Sequence, residues 1–279
     1  MIRYSIPMRT QDDPDEWRDW ARKLIAHKVP ADAVEWRAED ALGSLFADGA
    51  PPPLPSDAAP ITVPRPFLDL AHTVLLHRDP QRWSILYYVL ARLQAEPGFI
   101  HDKADTTMAA LMDMARAVRR DIHKMRAFVR FREVDDRYVA WFEPDHHIVR
   151  HNAQFFINRF TAMHWSILTP DITIHWDGVC LSEGPGADRS AAPTEDPVED
   201  LWKSYYASTF NPARVKVKAM LKEMPRKYWK NMPETALVGD LLGGAQKREQ
   251  AMLDAKPKRG ADPARECGVE TANGAAGED

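Results

Sequence analysis

Residues 114–151 read MARAVRRDIHKMRAFVRFREVDDRYVAWFEPDHHIVRH and change from a helical to a strand-like pattern within one stretch. Its first part belongs to a long helix that we predict over residues 105–125. AFVRFREV (127–134) and RYVAWFEPD (137–145) then flank an Asp-Asp pair, which predicts an antiparallel hairpin. A helix that leads directly into a hairpin indicates that the chain combines both element types.

The segments on either side repeat this combination. Upstream, Asp79-Pro80 supplies an N-cap and a first-turn proline for another helix. Downstream, the pattern predicts a short helix over 152–163 and a second hairpin from HWSILTPD and ITIHWDGVCL (164–181). The glycine- and proline-rich residues 183–197 indicate a loop. We therefore predict an α+β fold, in which helices flank a mainly antiparallel sheet.

Proline content and hydrophobic patterning divide the chain into four parts. Residues 1–50 suggest a strand, a helix and a strand, and so a small, separate N-terminal α/β unit. Residues 51–66 are rich in proline and predict a stiff, extended linker. Residues 67–250 form the predicted main domain, and residues 251–279, poor in large apolar side chains, predict a disordered tail.

The composition limits the classes of function. Hydrophobic residues make up 44% and charged residues 28%, as in ordinary globular proteins. No apolar run reaches the roughly 20 residues that cross a bilayer, and the N-terminus lacks the apolar region of a secretory signal. We therefore expect a cytoplasmic protein with no membrane partner. The two cysteines, Cys180 and Cys267, are too few for a Cys₄ zinc site or a self-contained iron–sulfur cluster.

Two basic segments indicate a polyanion as partner, although the formal net charge is −4. Residues 200–231, DLWKSYYASTFNPARVKVKAMLKEMPRKYWKN, interleave cations with aromatic rings, and residues 114–133 place cations at helical spacing. Such surfaces suit the phosphates and base faces of nucleic acid. The alternative is the solvated face of packed helices. The nucleic-acid-binding candidates are Arg119, Arg120, Lys124, Arg130, Arg132, Arg214, Lys216, Lys218, Lys227, Tyr228 and Trp229.

One short segment, WFEPDHHIVRH (141–151), has the residues for catalysis. Glu143, Asp145 and His146 combine carboxylates with an imidazole, a set able to bind a divalent metal or to transfer protons. Their spacing matches no established zinc motif, and HEXXH is absent. A structural role, in which Asp145 caps a helix, is the favoured interpretation, and whether a metal binds stays open.

Four long blocks carry a family resemblance: VRRDIHKMRAFVRFREV, RYVAWFEPDHHI, WSILTPD and EDLWKSYYASTFNPARVKVKAMLKEMPRKYWKNMPE. Over residues 64–234 the chain resembles a bacterial DNA metabolism/repair protein family, in its stand-alone form. The resemblance implies a DNA-repair context and a radical-SAM DNA-repair protein as partner. Some members of that family are fused to a uracil-DNA glycosylase domain, so such an enzyme is a further expected partner. Iron–sulfur and SAM cofactors are expected only in the radical-SAM partner and none in this chain.

Three hypotheses follow, because the resemblance supplies no catalytic mechanism. The first is an accessory protein of DNA repair or DNA metabolism that binds DNA through the two basic segments and acts with the radical-SAM protein. The second is a metal-dependent nuclease or base-processing enzyme centred on Glu143, Asp145 and His146. The third is an adaptor that binds only protein, with the aromatic residues in its core.

Overall fold

The computed structural model describes residues 4–39, 61–102, 104–191, 217–232, 235, 237–240 and 243. The chain divides into two compact units. The first contains the described residues up to 191 together with Lys230–Met232, and the second contains those from 217 to 229 and from 235 onward. Most of the predicted linker and the whole of the predicted tail, residues 251–279, lie outside the described residues.

The N-terminal segment is a βαβ arrangement, as its pattern predicted. Strand β1 (Tyr4–Met8) pairs in parallel with β2 (Val34–Ala38), and α1 (Pro14–Ala26) connects them. Asp13 is the N-cap of α1, since its side chain accepts hydrogen bonds from the backbone N–H groups of Asp15 and Glu16.

Three helices follow: α2 (Arg65–Val74), α3 (Gln81–Ala95) and α4 (Thr106–Phe128). They share one apolar core with the N-terminal strands and helix, which contains Ile6, Trp17, Trp36, Val74, Leu86 and Leu111. The packing of residues 4–39 therefore depends on helices that follow the proline-rich segment. The linker and domain boundaries proposed from the sequence stay predictions.

Arg82, in the first turn of α3, connects this helix to the loop before α1 by hydrogen bonds. Its side chain is fully buried and donates hydrogen bonds to the backbone carbonyls of Gln11, Leu75 and Asp79 at 2.6, 2.9 and 3.0 Å. These bonds satisfy a charged group that burial would otherwise destabilise.

The second half of the first unit is a five-stranded sheet in the order β3-β4-β5-β6-β7. Its pairs are antiparallel except β4–β5, which are parallel and joined by α5 (Val149–Arg159). The strands are β3 (Arg132–Val134), β4 (Arg137–Trp141), β5 (Trp165–Leu168), β6 (Ile172–Trp176) and β7 (Leu181–Pro185). This architecture confirms the α+β fold with a mainly antiparallel sheet.

The predicted boundary between helix and hairpin was wrong by several residues. Helix α4 continues to Phe128, so the strand predicted over 127–134 shortens to β3. The reason is that Met125 and Phe128 stay buried at helical spacing. Phe131 then turns toward α5 and packs edge-on against Phe156, with ring centroids 6.1 Å apart.

The predicted loop over 183–197 also begins too early, because β7 pairs with β6 through residue 185. Close approach of the backbones explains why glycines lie in this strand and just after it. A Cβ on Gly186 would lie 1.9 Å from the carbonyl oxygen of Pro170. Cys180 belongs to the segment ITIHWDGVCL that was predicted for the second hairpin, and it is exposed in the turn before β7.

In the second unit, helix α6 (Val217–Glu223) ends just before Pro225, which cannot continue it. A 3₁₀ turn over Arg226–Asn231 follows it. Among the described residues, none of the helices combines the length and the apolar character that a membrane crossing requires.

Candidate nucleic-acid interface

Helix α4 positions most of the candidate cations. Asp105 caps its start by accepting hydrogen bonds from the N–H groups of Thr107 and Met108 at 2.8 and 2.9 Å. The hydrogen bond from the Met108 N–H group is the largest cause of a lowered pKa of Asp105, and the bond from Thr107 adds to it. One side of the helix faces the core through the fully buried residues Leu111, Ala115, Val118 and Met125. The opposite side is therefore fixed as an outer face.

The outer face of α4 carries exposed basic side chains and a histidine: Arg116, Arg119, Arg120, His123 and Arg126. Arg116 forms an ion pair with Asp113 one turn earlier. Within the part of the chain that the structure describes, Arg119 and Arg120 form no ion pair and no hydrogen bond. Among the described residues, nothing compensates their charges at the surface.

Two charged residues of α4 point inward. Asp121 is 3% exposed, and its Oδ2 accepts hydrogen bonds from the backbone N–H groups of Asp145 and His146 at 2.8 and 2.9 Å. Lys124 is only 5% exposed, so it does not belong to the outer face on which the sequence placed it. Burial of Asp121 also removes an acid from that face and leaves its C-terminal half predominantly cationic.

The candidates after α4 have varied surroundings. Arg130 is exposed, but its Nη1 donates to the carbonyls of Ala127 and Val129 at 2.8 and 3.3 Å. Arg132 is half-buried in β3. Neither extends the exposed row of α4 as fully as the sequence suggested.

Glu143, Asp145 and His146 have separate sets of contacts. Glu143 accepts hydrogen bonds from Trp141 Nε1 at 2.8 Å and Lys230 Nζ at 2.6 Å. The Lys230 hydrogen bond is the main reason for its lowered pKa. Asp121 holds the backbone of Asp145 and His146, which agrees with a structural role for this segment. The prediction that Asp145 caps a helix is wrong, because the N-cap of α5 is Ile148 and no side chain caps it.

His146 lies in a cluster of side chains beside the turn after α2. Its ring packs on His77 with centroids 4.3 Å apart, and its Nδ1 accepts the backbone N–H of Arg78 at 3.3 Å. Burial lowers the pKa of His147 to about 4, and the charge of Arg82 adds to this effect. Among the described residues, no group of three or more His, Cys, Asp or Glu side chains is arranged to hold a metal ion.

The second basic segment is described only from residue 217 onward. Arg214 and Lys216 lie outside the described residues, whereas Lys218 and Lys227 are exposed. Tyr228 is 3% exposed, so its ring is not accessible for stacking on a base. Trp229 is partly buried, and its Nε1 donates to the carbonyl of Met224 at 2.9 Å.

A cavity of about 700 Å³ lies beside the outer face of α4. Its walls come from the loop before α1, the C-terminal end of α2, the second half of α4 and the start of α5. Arg119 and Arg126 supply cations from α4, Arg150 supplies one from α5, and Asp12 and Asp13 supply carboxylates from the loop. We call it the α4 cavity.

The charges of the α4 cavity are separated between its walls. Arg150 Nη1 donates to Asp12 Oδ1 at 2.6 Å, and its Nε donates to Glu183 at 2.9 Å. Burial raises the pKa of Asp12, and the charge of Arg150 opposes this effect. Burial also lowers the pKa of His151, with a further contribution from Arg126, so His151 is neutral at neutral pH. The loop wall is acidic but partly neutralised, and the α4 wall is cationic.

Arg126 is held in a fixed orientation within this wall. Its Nε donates to Asn152 Oδ1 at 2.7 Å, and Asn152, fully buried, donates in turn to the sulfur of Met125 at 3.1 Å. The Arg126 guanidinium also lies 5.0 Å from the ring centroid of Phe155. The sequence candidates omitted Arg126, although it follows Arg119 by seven residues, which is about two turns on the same face of a helix.

A comparison with family models matches residues 80–234, more than half of the chain, to the family described as Domain of unknown function (DUF4130). The chain belongs to the DUF4130 family. No curated protein and no solved structure matches it.

The DUF4130 region contains α3, α4, α5 and the whole five-stranded sheet. Arg119, Arg126, Arg150 and His151 of the α4 cavity fall within it. The opposing loop with Asp12 and the end of α2 precede it. The cavity of this DUF4130 protein is therefore completed by residues outside the family match.

Proposed function

We propose that this DUF4130 protein binds nucleic acid through the outer face of α4 and works as an accessory protein of DNA metabolism. The observation that carries the proposal is the pair Arg119 and Arg120, exposed side by side with no described ion pair. Cations of this kind neutralise backbone phosphates and release counterions on binding.

Three further features support the proposal. His123 and Arg126 continue the cationic face toward the end of α4. The acid that the sequence places among these cations, Asp121, is buried and occupied by backbone N–H groups. The exposed Lys218 and Lys227 of the second unit would add further phosphate contacts.

The role in DNA repair and the radical-SAM partner belong to the same proposal and rest on the family resemblance in the sequence. In this scheme the DUF4130 protein holds the DNA, and the partner supplies the iron–sulfur and SAM chemistry. A uracil-DNA glycosylase would act on the same DNA. The hypothesis of a metal-dependent enzyme at Glu143, Asp145 and His146 gains no support from the separate contacts of these side chains.

Fluorescence anisotropy with labelled single- and double-stranded oligonucleotides tests the proposal. The double variant Arg119→Glu/Arg120→Glu reverses the charge at the centre of the face, and we expect it to weaken binding about ten-fold or more. Arg22→Glu is the matched control, because Arg22 is exposed on α1 and forms no described ion pair. It should change the affinity far less.

Equal affinities for the double variant and the control would contradict the role of the α4 face. A pull-down of the radical-SAM protein with and without nuclease treatment separates the proposal from the adaptor hypothesis. Loss of the complex after nuclease treatment supports a DNA-mediated role. The adaptor hypothesis is supported if the complex survives nuclease treatment and the protein alone binds no DNA.

A further inference from the structure

We infer that the α4 cavity is a binding site for a nucleotide phosphomonoester, with the phosphate at the α4 wall and the base at the loop wall. The same chemical group occurs at the phosphorylated end of a DNA strand and in a free mononucleotide. Recognition of a phosphorylated strand end rests on the proposed function, whereas binding of a free mononucleotide does not. The inference thereby specifies which part of a nucleic acid the protein recognises.

The phosphate end of the site is built around Arg126. Its Nε is occupied by the buried Asn152, and within the described residues its two Nη groups have no hydrogen-bond partner. A guanidinium held in this way presents its remaining donors in a fixed geometry, which suits the oxygens of a phosphate. Arg119, two turns earlier, lines the same wall and has no described partner.

The other end of the site suits a nucleobase. Pro14 at the loop wall and Leu76 after α2 provide apolar surface for a flat ring. On the loop wall, Asp12 Oδ1 accepts from Arg150, and Oδ2 is the carboxylate atom that would accept an N–H group of a base edge. A volume of about 700 Å³ lies within the range of small-molecule sites, roughly 300–1,000 Å³.

The position of Arg119 connects this cavity to the outer face. Arg119 lines the cavity, whereas its neighbour Arg120 does not, and both are exposed. A strand whose internal phosphates lie along the outer face would therefore reach the cavity with its terminal nucleotide. Arg119 and Arg120 thus separate recognition of a strand end from general binding of the backbone.

Calorimetric titration and anisotropy test this inference on the full chain. The ligands are one single-stranded oligonucleotide with a 5′-phosphate, a 3′-phosphate or no terminal phosphate, the matching deoxynucleoside monophosphate, and inorganic phosphate. We expect one terminal phosphate to strengthen oligonucleotide binding about ten-fold, as for hydrogen bonds to a charged group, and the mononucleotide to bind more tightly than inorganic phosphate. Tight mononucleotide binding without a strand-end preference would identify the free nucleotide as the ligand.

Variants locate the effect. Arg126→Gln and Arg119→Gln should both remove the preference for a terminal phosphate and weaken mononucleotide binding. Arg120→Gln should weaken the binding of oligonucleotides with and without the terminal phosphate by the same factor, so the preference for the phosphate persists. Arg22→Gln should leave mononucleotide binding unchanged. Arg119→Gln loses no described contact, so it remains informative even if loss of the Arg126–Asn152 bond prevents folding.

Two results would overturn the inference. One is an equal affinity for phosphorylated and unphosphorylated strands together with no mononucleotide binding. The other is equal binding of mononucleotide and inorganic phosphate. In either case DNA binding that still depends on Arg119 and Arg120 would leave the proposed function standing. Mononucleotide binding without any affinity for DNA would support the inference and contradict the proposed function.

Discussion

Replacing Asp121 by alanine should destabilise the protein more than any other single change to an acid on α4. The Asp121 carboxylate is buried and accepts two backbone hydrogen bonds, from Asp145 at 2.8 Å and His146 at 2.9 Å. Alanine leaves both donors without their acceptor, at about 1–3 kcal/mol for each buried group. Both bonds are partly buried, so water compensates in part, and we expect a loss of about 2–4 kcal/mol in total.

Urea denaturation followed by tryptophan fluorescence measures this loss as a lower midpoint at an unchanged m-value. Asp121→Asn keeps an oxygen at the same place and should lose only the contribution of the charge, about 1 kcal/mol. Asp113→Ala is the matched control, because Asp113 is exposed on the same helix and its one ion pair among the described residues is with Arg116. It should cost no more than about 0.5 kcal/mol. If Asp121→Ala were as stable as Asp113→Ala, Asp121 would not anchor the loop.

Three further changes test the packing of the first unit. Arg82→Lys should cost about 2–4 kcal/mol in urea denaturation, because lysine lacks the fork of donors that reaches Gln11 and the turn before α3; unchanged stability would contradict this. Tyr87→Phe should cost about 1 kcal/mol by thermal unfolding, since the buried Tyr87 hydroxyl donates to the carbonyl of Val29 at 2.7 Å; a neutral result would refute it. His147 has a pKa of about 4 in the folded chain against 6.5 when unfolded, so the unfolded state binds more protons between these values. The stability that neutral His147 contributes above pH 6.5 should be lost as the pH falls toward 4, and the free energy of unfolding of His147→Leu should depend less steeply on pH in that window.

Local patterning predicted the elements of this fold well where one period dominates. The hairpin of β5 and β6 and the parallel β1–β2 pair follow from alternating residues, apolar spacing and turn signals that act within a few residues. The border between α4 and β3 was missed because residues 127–134, with Phe128, Val129 and Phe131, have the β-branched and aromatic content of a strand. Tertiary packing buries Phe128 and so extends α4 to this residue.

The candidate interface was predictable only in part. Helical spacing predicted a row of cations on this helix, but it could not show that Lys124 is buried, because its surroundings come from distant residues. Arg150 had no local signal, since its partner Asp12 lies 138 residues earlier. Likewise, nothing near Tyr228 in the sequence distinguishes a ring that stacks on DNA from one that is 3% exposed.

The salt dependence of DNA binding measures how many phosphates the protein contacts. The slope of log K against log salt for a single-stranded oligonucleotide counts phosphate contacts at about 0.7 per contact. For Arg119→Gln/Arg120→Gln we expect a slope shallower than that of the unmodified protein by about 1.4, whereas Arg22→Gln should keep the original slope. Binding that does not depend on salt, or an unchanged slope in the double variant, would contradict the claim that the outer face of α4 holds nucleic acid.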